Sequence, residues 1–188
     1  MRRAKGLSLT VSFFLSFFAA LPLHAQTKTW SDIDCAKLDL VLIGATKCRT
    51  TTPYAGPDGR GAFIDQTASF TNENERAYAY VDKPHVMIAN GGIAVTPESR
   101  EQYLSRPSAE AGKSGTNFSA TLKVANGYAK TFTLPGGWQC FSFVKDAPPG
   151  GPTNGFAFYL VGYDCKKAAQ VPDEMAMTEF IQNVSVKR

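Results

Sequence analysis

One apolar run, GFAFYLVGYDC at residues 155–165, constrains the fold more than any other segment. Its side chains are almost all apolar or aromatic up to the closing Asp164-Cys165, so a strand over Phe156–Tyr163 would have no polar face. A strand of this kind lies inside a sheet and is covered on both sides. The run therefore predicts a central strand with a helix or an opposing sheet over its second face, and with its cysteine in a disulfide.

The rest of the chain favours a mainly β fold. Turn residues alternate with β-forming runs from about residue 62 to 165, which is typical of an antiparallel sandwich or barrel. The segment VMIANGGIAV predicts a tight hairpin at Asn90-Gly91, because these residues tolerate the positive φ angles of a two-residue turn. Three further strands are predicted, at Ala62–Phe70, Arg76–Val81 and Gln139–Lys145.

A second hairpin is predicted in FSATLKVANGYAKTFTL. A two-residue loop at Asn126-Gly127 would set Lys123 opposite Lys130, which is a poor register. A three-residue loop, Ala125-Asn126-Gly127, is preferred and puts Gly127 in a left-handed bulge position. Lys130 is then the one polar residue on an otherwise apolar face. The apolar residues that this register aligns are Phe118, Ala120, Leu122 and Val124 with Tyr128, Phe132 and Leu134.

Helices are predicted in two places and are undecided in a third. The C-terminal segment repeats apolar residues at helical spacing, with Asp173-Glu174 at its start and Lys187-Arg188 at its end, as the helix dipole favours. These apolar residues are Met177, Phe180, Ile181 and Val184. A short polar helix is expected over Pro97–Ser105, with Thr96 as its cap. The segment SDIDCAKLDLVLIG suits a helix or a strand, and a helix to about Ile43 is preferred.

The first residues predict export. A basic start, an apolar stretch and a small residue near its end are the parts of a signal peptide, placed here at residues 1–25. An uncleaved membrane anchor is the alternative, disfavoured by three serines and Pro22 in the apolar stretch. The mature chain, residues 26–188, is then a single disulfide-bearing domain without a membrane span, in the periplasm of a bacterial envelope or secreted.

The charge of the chain argues against a nucleic-acid partner. The chain has 20 basic and 16 acidic residues, and the predicted signal peptide contains three of the basic ones and no acid. The mature part therefore has 17 basic against 16 acidic residues, a formal charge of +1. A charge this small gives no general attraction to nucleic acid or to an anionic membrane.

Four cysteines in an exported chain predict two disulfides, which allow three pairings. They are Cys35, Cys48, Cys140 and Cys165. Bonded Cα atoms lie within about 7 Å of each other, so a bond between the first two requires a chain reversal, for which Gly44 is suited. A tight hairpin would set Cys140 opposite Val161 rather than Cys165. The pairing therefore stays open on sequence grounds.

The favoured function is non-catalytic binding of a protein, a glycan or a small ligand through loops between strands. Trp138 and Tyr54 are the candidate binding residues, together with the loop DAPPGGPTNG, because aromatic side chains on rigid loops often carry recognition. The alternative is that Trp138 fills the core. Under the binding hypothesis, replacing Trp138 removes function and replacing His85 does not. An envelope structural subunit is a third possibility.

The competing hypothesis is a small extracytoplasmic hydrolase. His85 is the single histidine of the mature chain, so a Ser-His-acid or Cys-His mechanism would depend on it. A carboxylate pair is the other option, with Asp58 or Asp65 facing Glu73 or Glu75. A carboxyl group in a cleft within reach of another would favour this hypothesis. No cofactor and no metal are expected, since the cysteines lack the close spacing of zinc ligands.

Overall fold

The computed structural model describes residues 28–55, 62–84, 97–105, 115–146, 159–168 and 170–187. Its helices are α1 (Pro97–Ser105) and α2 (Glu174–Asn183). Its strands are β1 (Trp30–Asp32), β2 (Leu40–Val41), β3 (Lys47–Thr51), β4 (Tyr54–Ala55), β5 (Ala62–Thr71), β6 (Glu75–Pro84), β7 (Leu122–Val124), β8 (Gly127–Leu134), β9 (Trp138–Asp146), β10 (Tyr159–Lys167) and β11 (Ser185–Val186).

Nine of these strands form one antiparallel sheet in the order β1-β3-β5-β6-β10-β9-β8-β7, with β4 also paired to β5. The other two, β2 and β11, form a small sheet of their own. The mainly β, antiparallel class with a C-terminal helix is as predicted. Within the described ranges the large sheet is not closed into a barrel.

Strand β10 lies inside the sheet, between β6 and β9. Leu160 belongs to the core on the side of α2, whereas Val161 and Tyr163 belong to clusters on the opposite side. The described residues of the run, 160–165, are therefore buried on both faces, as predicted. The strand continues to Lys167, beyond the predicted end at Tyr163.

Helix α2 and the small β2/β11 sheet cover one side of the large sheet, which we call the α2 face. Asp173 caps the helix, and Met177 and Ile181 are fully buried against small strand residues. Lys145 Nζ donates to the carbonyl oxygens of Ile181 and Val184 at 2.9 and 2.7 Å. A lysine from β9 therefore satisfies the C-terminal end of the helix.

The prediction that Lys187-Arg188 would end α2 is wrong. The helix stops at Asn183 and the chain continues into β11, so that Lys187 Nζ donates to the carbonyl oxygen of Ala36 at 2.9 Å. Arg188 lies outside the described residues. Pairing of β11 with β2 competes successfully with a further helical turn.

Helix α1 covers the opposite side, the α1 face, over the residues predicted. Leu104 is fully buried against Val144 and Val161. Phe118 stacks on Phe132 with ring centroids 5.2 Å apart. The prediction that Val124 shares this face is wrong, because Val124 belongs to the core on the α2 face. The Thr96 cap lies outside the described residues.

Polar contacts fix α1 to the sheet. Ser142 Oγ donates to the carbonyl oxygen of Leu104 at 2.6 Å. Lys130 is ion-paired with Glu101 and donates to Ser105 Oγ at 3.2 Å. Lys130, the one polar residue left on an apolar face by the predicted register, thus has partners on α1.

The preferred helix up to Ile43 is wrong. The segment forms β1, a short 3₁₀ turn at Cys35–Lys37 and β2. Leu38, Leu40 and Leu42 are buried, whereas Ile43 is 66% exposed, so the apolar period is two rather than that of a helix. Three leucines pointing into one core favour an extended chain over a helix that would bury only part of them.

The predicted three-residue loop after Val124 is also wrong. Val124 pairs directly with Gly127, so the loop consists of Ala125 and Asn126, and Ala125 takes the left-handed conformation with φ 46°. Gly127 instead starts β8, where a Cβ atom would lie 2.4 Å from the carbonyl oxygen of Val144. Close approach to β9, rather than a positive φ, therefore requires glycine here.

The two disulfides are Cys35–Cys48 and Cys140–Cys165. The first is possible because the chain reverses at Gly44, whose φ is 78°. The second joins residues directly opposite each other in β9 and β10. In the observed register Lys145 faces Leu160 and Cys140 faces Cys165 rather than Val161, and this removes the register conflict found in the sequence.

Candidate functional site

The N-terminal end of the described chain places a lysine among aromatic rings on the α1 face. Lys28 Nζ lies 5.6 Å from the ring centroid of Trp30, 4.9 Å from that of Tyr54 and 5.9 Å from that of Tyr80. An ammonium within about 6 Å of a ring centroid is attracted by the negative face of the ring. Three rings therefore hold one cation.

Two carboxylates complete this group. Asp65 and Asp82 are directly opposite each other in β5 and β6, and residues in such positions have Cβ atoms about 4.5–5.5 Å apart. The Asp65 side chain is fully enclosed, ion-paired with Lys28, and accepts from Tyr54 Oη at 2.7 Å through Oδ1. We call the set Lys28, Trp30, Tyr54, Asp65, Tyr80 and Asp82 the cation cage.

The sheet register explains why these residues meet. Tyr78, Tyr80 and Asp82 alternate along β6 and so share the α1 face. Strand β4 pairs with the start of β5, which puts Tyr54 on the same face as Asp65. Strand β1 at the sheet edge contributes Trp30, with Lys28 just before it.

Electrostatics in the cage follow from burial. Burial lowers the pKa of Lys28, while the Asp82 carboxylate acts in the opposite direction. Burial raises the pKa of Asp82, and Lys28 and the Tyr54 hydroxyl partly offset this. Burial and Asp82 together raise the pKa of Tyr54 to about 12, and they raise that of Tyr80 as well. Both hydroxyls therefore stay protonated at neutral pH and act as donors.

Two carboxylate oxygens of the cage are buried and make no hydrogen bond in the described structure. They are Asp82 Oδ1 and Asp65 Oδ2, and the latter is ion-paired with Lys28. Burial and the Asp82 carboxylate also raise the pKa of Tyr103 on α1. Arg49 lies 5.5 Å from the Trp30 ring centroid but pairs with Asp32 at 3.2 Å.

Trp138, the other predicted binding residue, lies at the opposite end of the sheet. The Arg76 guanidinium is 4.0 Å from its ring centroid, and Lys167 Nζ is 5.4 Å away. The half-buried ring packs on the cluster around the Cys140–Cys165 disulfide. Along β6, Arg76 and Asp82 are separated by six residues, roughly 20 Å of strand. Trp138 and Tyr54 therefore do not form one site.

A groove of about 430 Å³ lies on the α2 face between the C-terminal end of α2 and the turns β2–β3 and β5–β6. Its apolar lining includes Leu42, Phe70 and Phe180, and its polar lining is Asn72, Glu75 and Asn183. The groove is open to solvent and has few hydrogen-bonding groups, which makes it less specific than the cage.

The predicted carboxylate pairs of Asp65 with Glu73 or Glu75 are not formed. Asp65 lies at one end of the β5–β6 hairpin and Glu75 at the other, with Glu73 in its turn. Several predicted features lie outside the described residues: Asp58, His85, the Asn90-Gly91 hairpin, residues 147–155 of the loop DAPPGGPTNG and the predicted signal peptide. Four members of the cage were not predicted from the sequence: Lys28, Trp30, Tyr80 and Asp82. The alternation Tyr-x-Tyr-x-Asp in β6 was the available signal for the last two.

Comparison with known proteins adds no relative. No protein-family model, no curated protein and no solved structure matches the chain significantly. Among the described residues, no group of three or more histidine, cysteine or acidic side chains is arranged to hold a metal ion. None of the helices in those ranges has the length and apolar character needed to cross a membrane.

Proposed function

We propose that the chain is an exported, non-catalytic binding domain that recognises its ligand at the cation cage. The observation that carries this proposal is the convergence of three aromatic rings and two carboxylates on one ammonium group. Aromatic faces combined with a few oriented polar groups are the usual chemistry of a binding site. Tyr54, a binding candidate from the sequence, belongs to it.

Two features support export to a bacterial periplasm or to the medium. Disulfides persist in oxidising compartments and are rare in the cytosol, and this domain has two of them. The N-terminal 25 residues have the composition of a signal peptide. Intact mass measurement of the native product should find a chain beginning at Gln26, whereas a retained Met1 would contradict export with cleavage.

The environment of Asp65 supports binding over catalysis. A general acid or base has to come within hydrogen-bond distance of its substrate. The Asp65 carboxylate is instead fully enclosed, with Tyr54 donating to Oδ1 and Lys28 ion-paired at Oδ2. A carboxyl group in a cleft within reach of another would favour a hydrolase. Asp82 is within reach of Asp65 as its register partner, but the enclosure of Asp65 speaks against direct contact with a substrate.

The experiment is ligand capture by the oxidised protein from envelope extract, with variants at both ends of the sheet. Asp82→Asn and Tyr54→Leu should abolish capture. Glu174→Gln, an exposed change at the start of α2, is the matched control and should leave it intact. Capture that survives both cage changes but is lost in Trp138→Ala would overturn the site in favour of the other end of the sheet.

A hydrolase remains the second candidate because Asp65 and Asp82 are register partners and burial raises the pKa of Asp82. Two adjacent carboxyl groups, one of them with a raised pKa, are a recurring acid–base arrangement. This candidate predicts turnover of chromogenic glycosides that is lost in Asp82→Asn. Absence of turnover by the folded, oxidised protein would exclude glycoside cleavage.

A further inference from the structure

We infer that the cation cage is a site for an organic ammonium ion and that Lys28 occupies it as a built-in competitor, which the ligand displaces. This inference rests on the proposed binding function and adds the ligand class and the means by which access is controlled. The ligand head is a primary alkylammonium, presented by a small amine or by a lysine side chain.

The arrangement of the rings favours a site for a cation. An ion pair between Lys28 and Asp65 needs no aromatic neighbours, yet three rings lie within cation–π distance of the ammonium. They come from three separate elements: the edge strand β1, strand β4 and strand β6. Rings collected in this way select a cation by both charge and shape.

The charge of the cage also favours a cationic ligand. The cage contains two carboxylates and one ammonium, and Arg49 is engaged by Asp32. Asp82 Oδ1 is buried without a hydrogen bond among the described residues. The site therefore has more negative charge and more acceptor capacity than Lys28 satisfies. A cation fits this surplus, whereas an anion would be repelled.

Lys28 can leave the cage without breaking the sheet. It precedes β1, which is an edge strand paired only with β3 among the described strands. Its side chain is 36% exposed, whereas that of Asp65 is enclosed. Rotation of the four-carbon stem would empty the centre of the cage and leave the pairing of β5 with β6 intact.

The test uses the fact that the chain has two tryptophans, one at each end of the sheet. In a Trp138→Phe background, Trp30 is the sole tryptophan and reports on the cage. We would titrate n-butylammonium into this protein and into the same protein with Lys28→Ala, and follow Trp30 fluorescence. A tethered lysine competes at millimolar or higher effective concentration. Removing it should therefore tighten butylammonium binding by about tenfold or more.

Three controls make the result specific. 1-Butanol, the neutral analogue, should not bind. Lys28→Arg keeps a tethered cation and should bind butylammonium as weakly as the parent protein. Adding Asp82→Asn to Lys28→Ala should weaken binding about tenfold, because it removes one charge next to the rings. In a Trp30→Phe background, Trp138 fluorescence should stay constant throughout.

Equal binding of butanol and butylammonium by Lys28→Ala would overturn the inference, since the site would then be only an apolar cavity. Failure of folded Lys28→Ala to bind butylammonium would also overturn it. Should Lys28→Ala unfold on its own, its melting temperature should rise with butylammonium and not with butanol; no rise would count against the inference.

The same titration separates the two sources of the ligand and separates this inference from the proposed function. N-acetyl-lysine-N-methylamide binding more tightly than butylammonium points to a lysine of a partner protein, and equal affinity points to a free amine. If capture from envelope extract depends on Asp82 while no amine binds, the binding function stands and the ammonium inference falls. If amines bind but the Asp82→Asn and Tyr54→Leu variants still capture a ligand from envelope extract, the proposed binding function at this site fails.

Discussion

Lys28 and Asp65 form an ion pair in which one partner is enclosed and the other partly exposed. Replacing Lys28 with methionine leaves Asp65 buried without its cation. Removing one partner of a fully buried pair costs about 3–5 kcal/mol, and the exposure of Lys28 reduces this. We expect the free energy of unfolding, measured by urea denaturation, to fall by about 1–3 kcal/mol.

Two comparisons check the cause of this loss. Lys83→Met breaks the pair with Asp39, in which both side chains are partly exposed, and should cost less than about 1 kcal/mol. The double change Lys28→Met/Asp65→Asn should recover at least half of the lost stability, because no buried charge is then left alone. A double variant less stable than Lys28→Met would contradict this interpretation.

Asp164 should make stability depend on pH. Its side chain is 4% exposed, and burial raises its pKa from 3.8 to about 7, with Lys166 acting against this and Glu75 adding to it. Between these two values the folded protein keeps a proton that the unfolded chain has lost. Stability therefore falls as pH rises from about 4 to about 7, by about 4 kcal/mol at most.

Asp164→Asn tests this by urea denaturation at several pH values from 4 to 8. In the variant, most of the decrease in the free energy of unfolding with rising pH should disappear, and the variant should be more stable than the parent at pH 8. A smaller decrease will remain because burial also raises the pKa of Asp82. If the free energy of unfolding depended on pH equally in the two proteins, Asp164 would not be the titrating group.

At the scale of elements, the β6–β10 pairing depends on a glycine. A Cβ atom on Gly162 would lie 2.0 Å from the carbonyl oxygen of Tyr78 and 2.9 Å from the Phe143 ring. A backbone atom inside a sheet has little freedom to move, so Gly162→Ala should destabilise the protein by more than about 2 kcal/mol. Gly137→Ala is the control, with no atom within 4 Å and only a positive φ of 79°, and should cost about 1 kcal/mol.

Helix α2 should contribute through its buried side chains alone. Ile181 is fully buried and Met175 is 77% exposed on the same helix. Ile181→Ala should lower the free energy of unfolding by about 2–5 kcal/mol, whereas Met175→Ala should change it by less than about 0.5 kcal/mol. Similar effects of the two changes would mean that the helix does not cover the sheet.

These elements differ in how far the sequence predicts them. Strand β10 and helix α2 carry unambiguous apolar patterns, and both are confirmed. Leu38, Leu40 and Leu42 form a pattern too short to separate a period of two from a helical one, so the segment was misassigned. Gly127 was expected in a positive-φ turn position, but glycine is required there because strand β9 approaches its backbone closely. A local sequence pattern does not contain that contact.

The candidate site was less predictable than the fold. Tyr54 and Asp65 were noticed separately, for an aromatic ring near a proline and for a carboxylate. Their meeting with Lys28 and Asp82 depends on the pairing of β1, β3, β4, β5 and β6, which brings together residues more than 50 positions apart. Long-range register decides such a site, and single-residue chemistry does not.

At the scale of the whole molecule, the two disulfides should differ in reactivity. Cys140 and Cys165 are both fully buried between the central strands, whereas Cys35 is only partly buried. Access of the attacking thiolate limits reduction. Partial reduction of the native protein followed by alkylation and mass spectrometry should therefore label Cys35 and Cys48 first; earlier labelling of Cys140 would contradict the burial seen here.

The position of β10 has a consequence for when the molecule can assemble. It is the last strand of the large sheet to be synthesised, yet it separates β6 from β9. Until residue 167 is available, β6 and β9 each present an unpaired edge. The two halves of the sheet, from β1 to β6 and from β7 to β9, then have no strand hydrogen-bonded between them. A chain that emerges N-terminus first therefore stays incompletely folded until nearly all of it has passed, which suits threading through a narrow translocation channel.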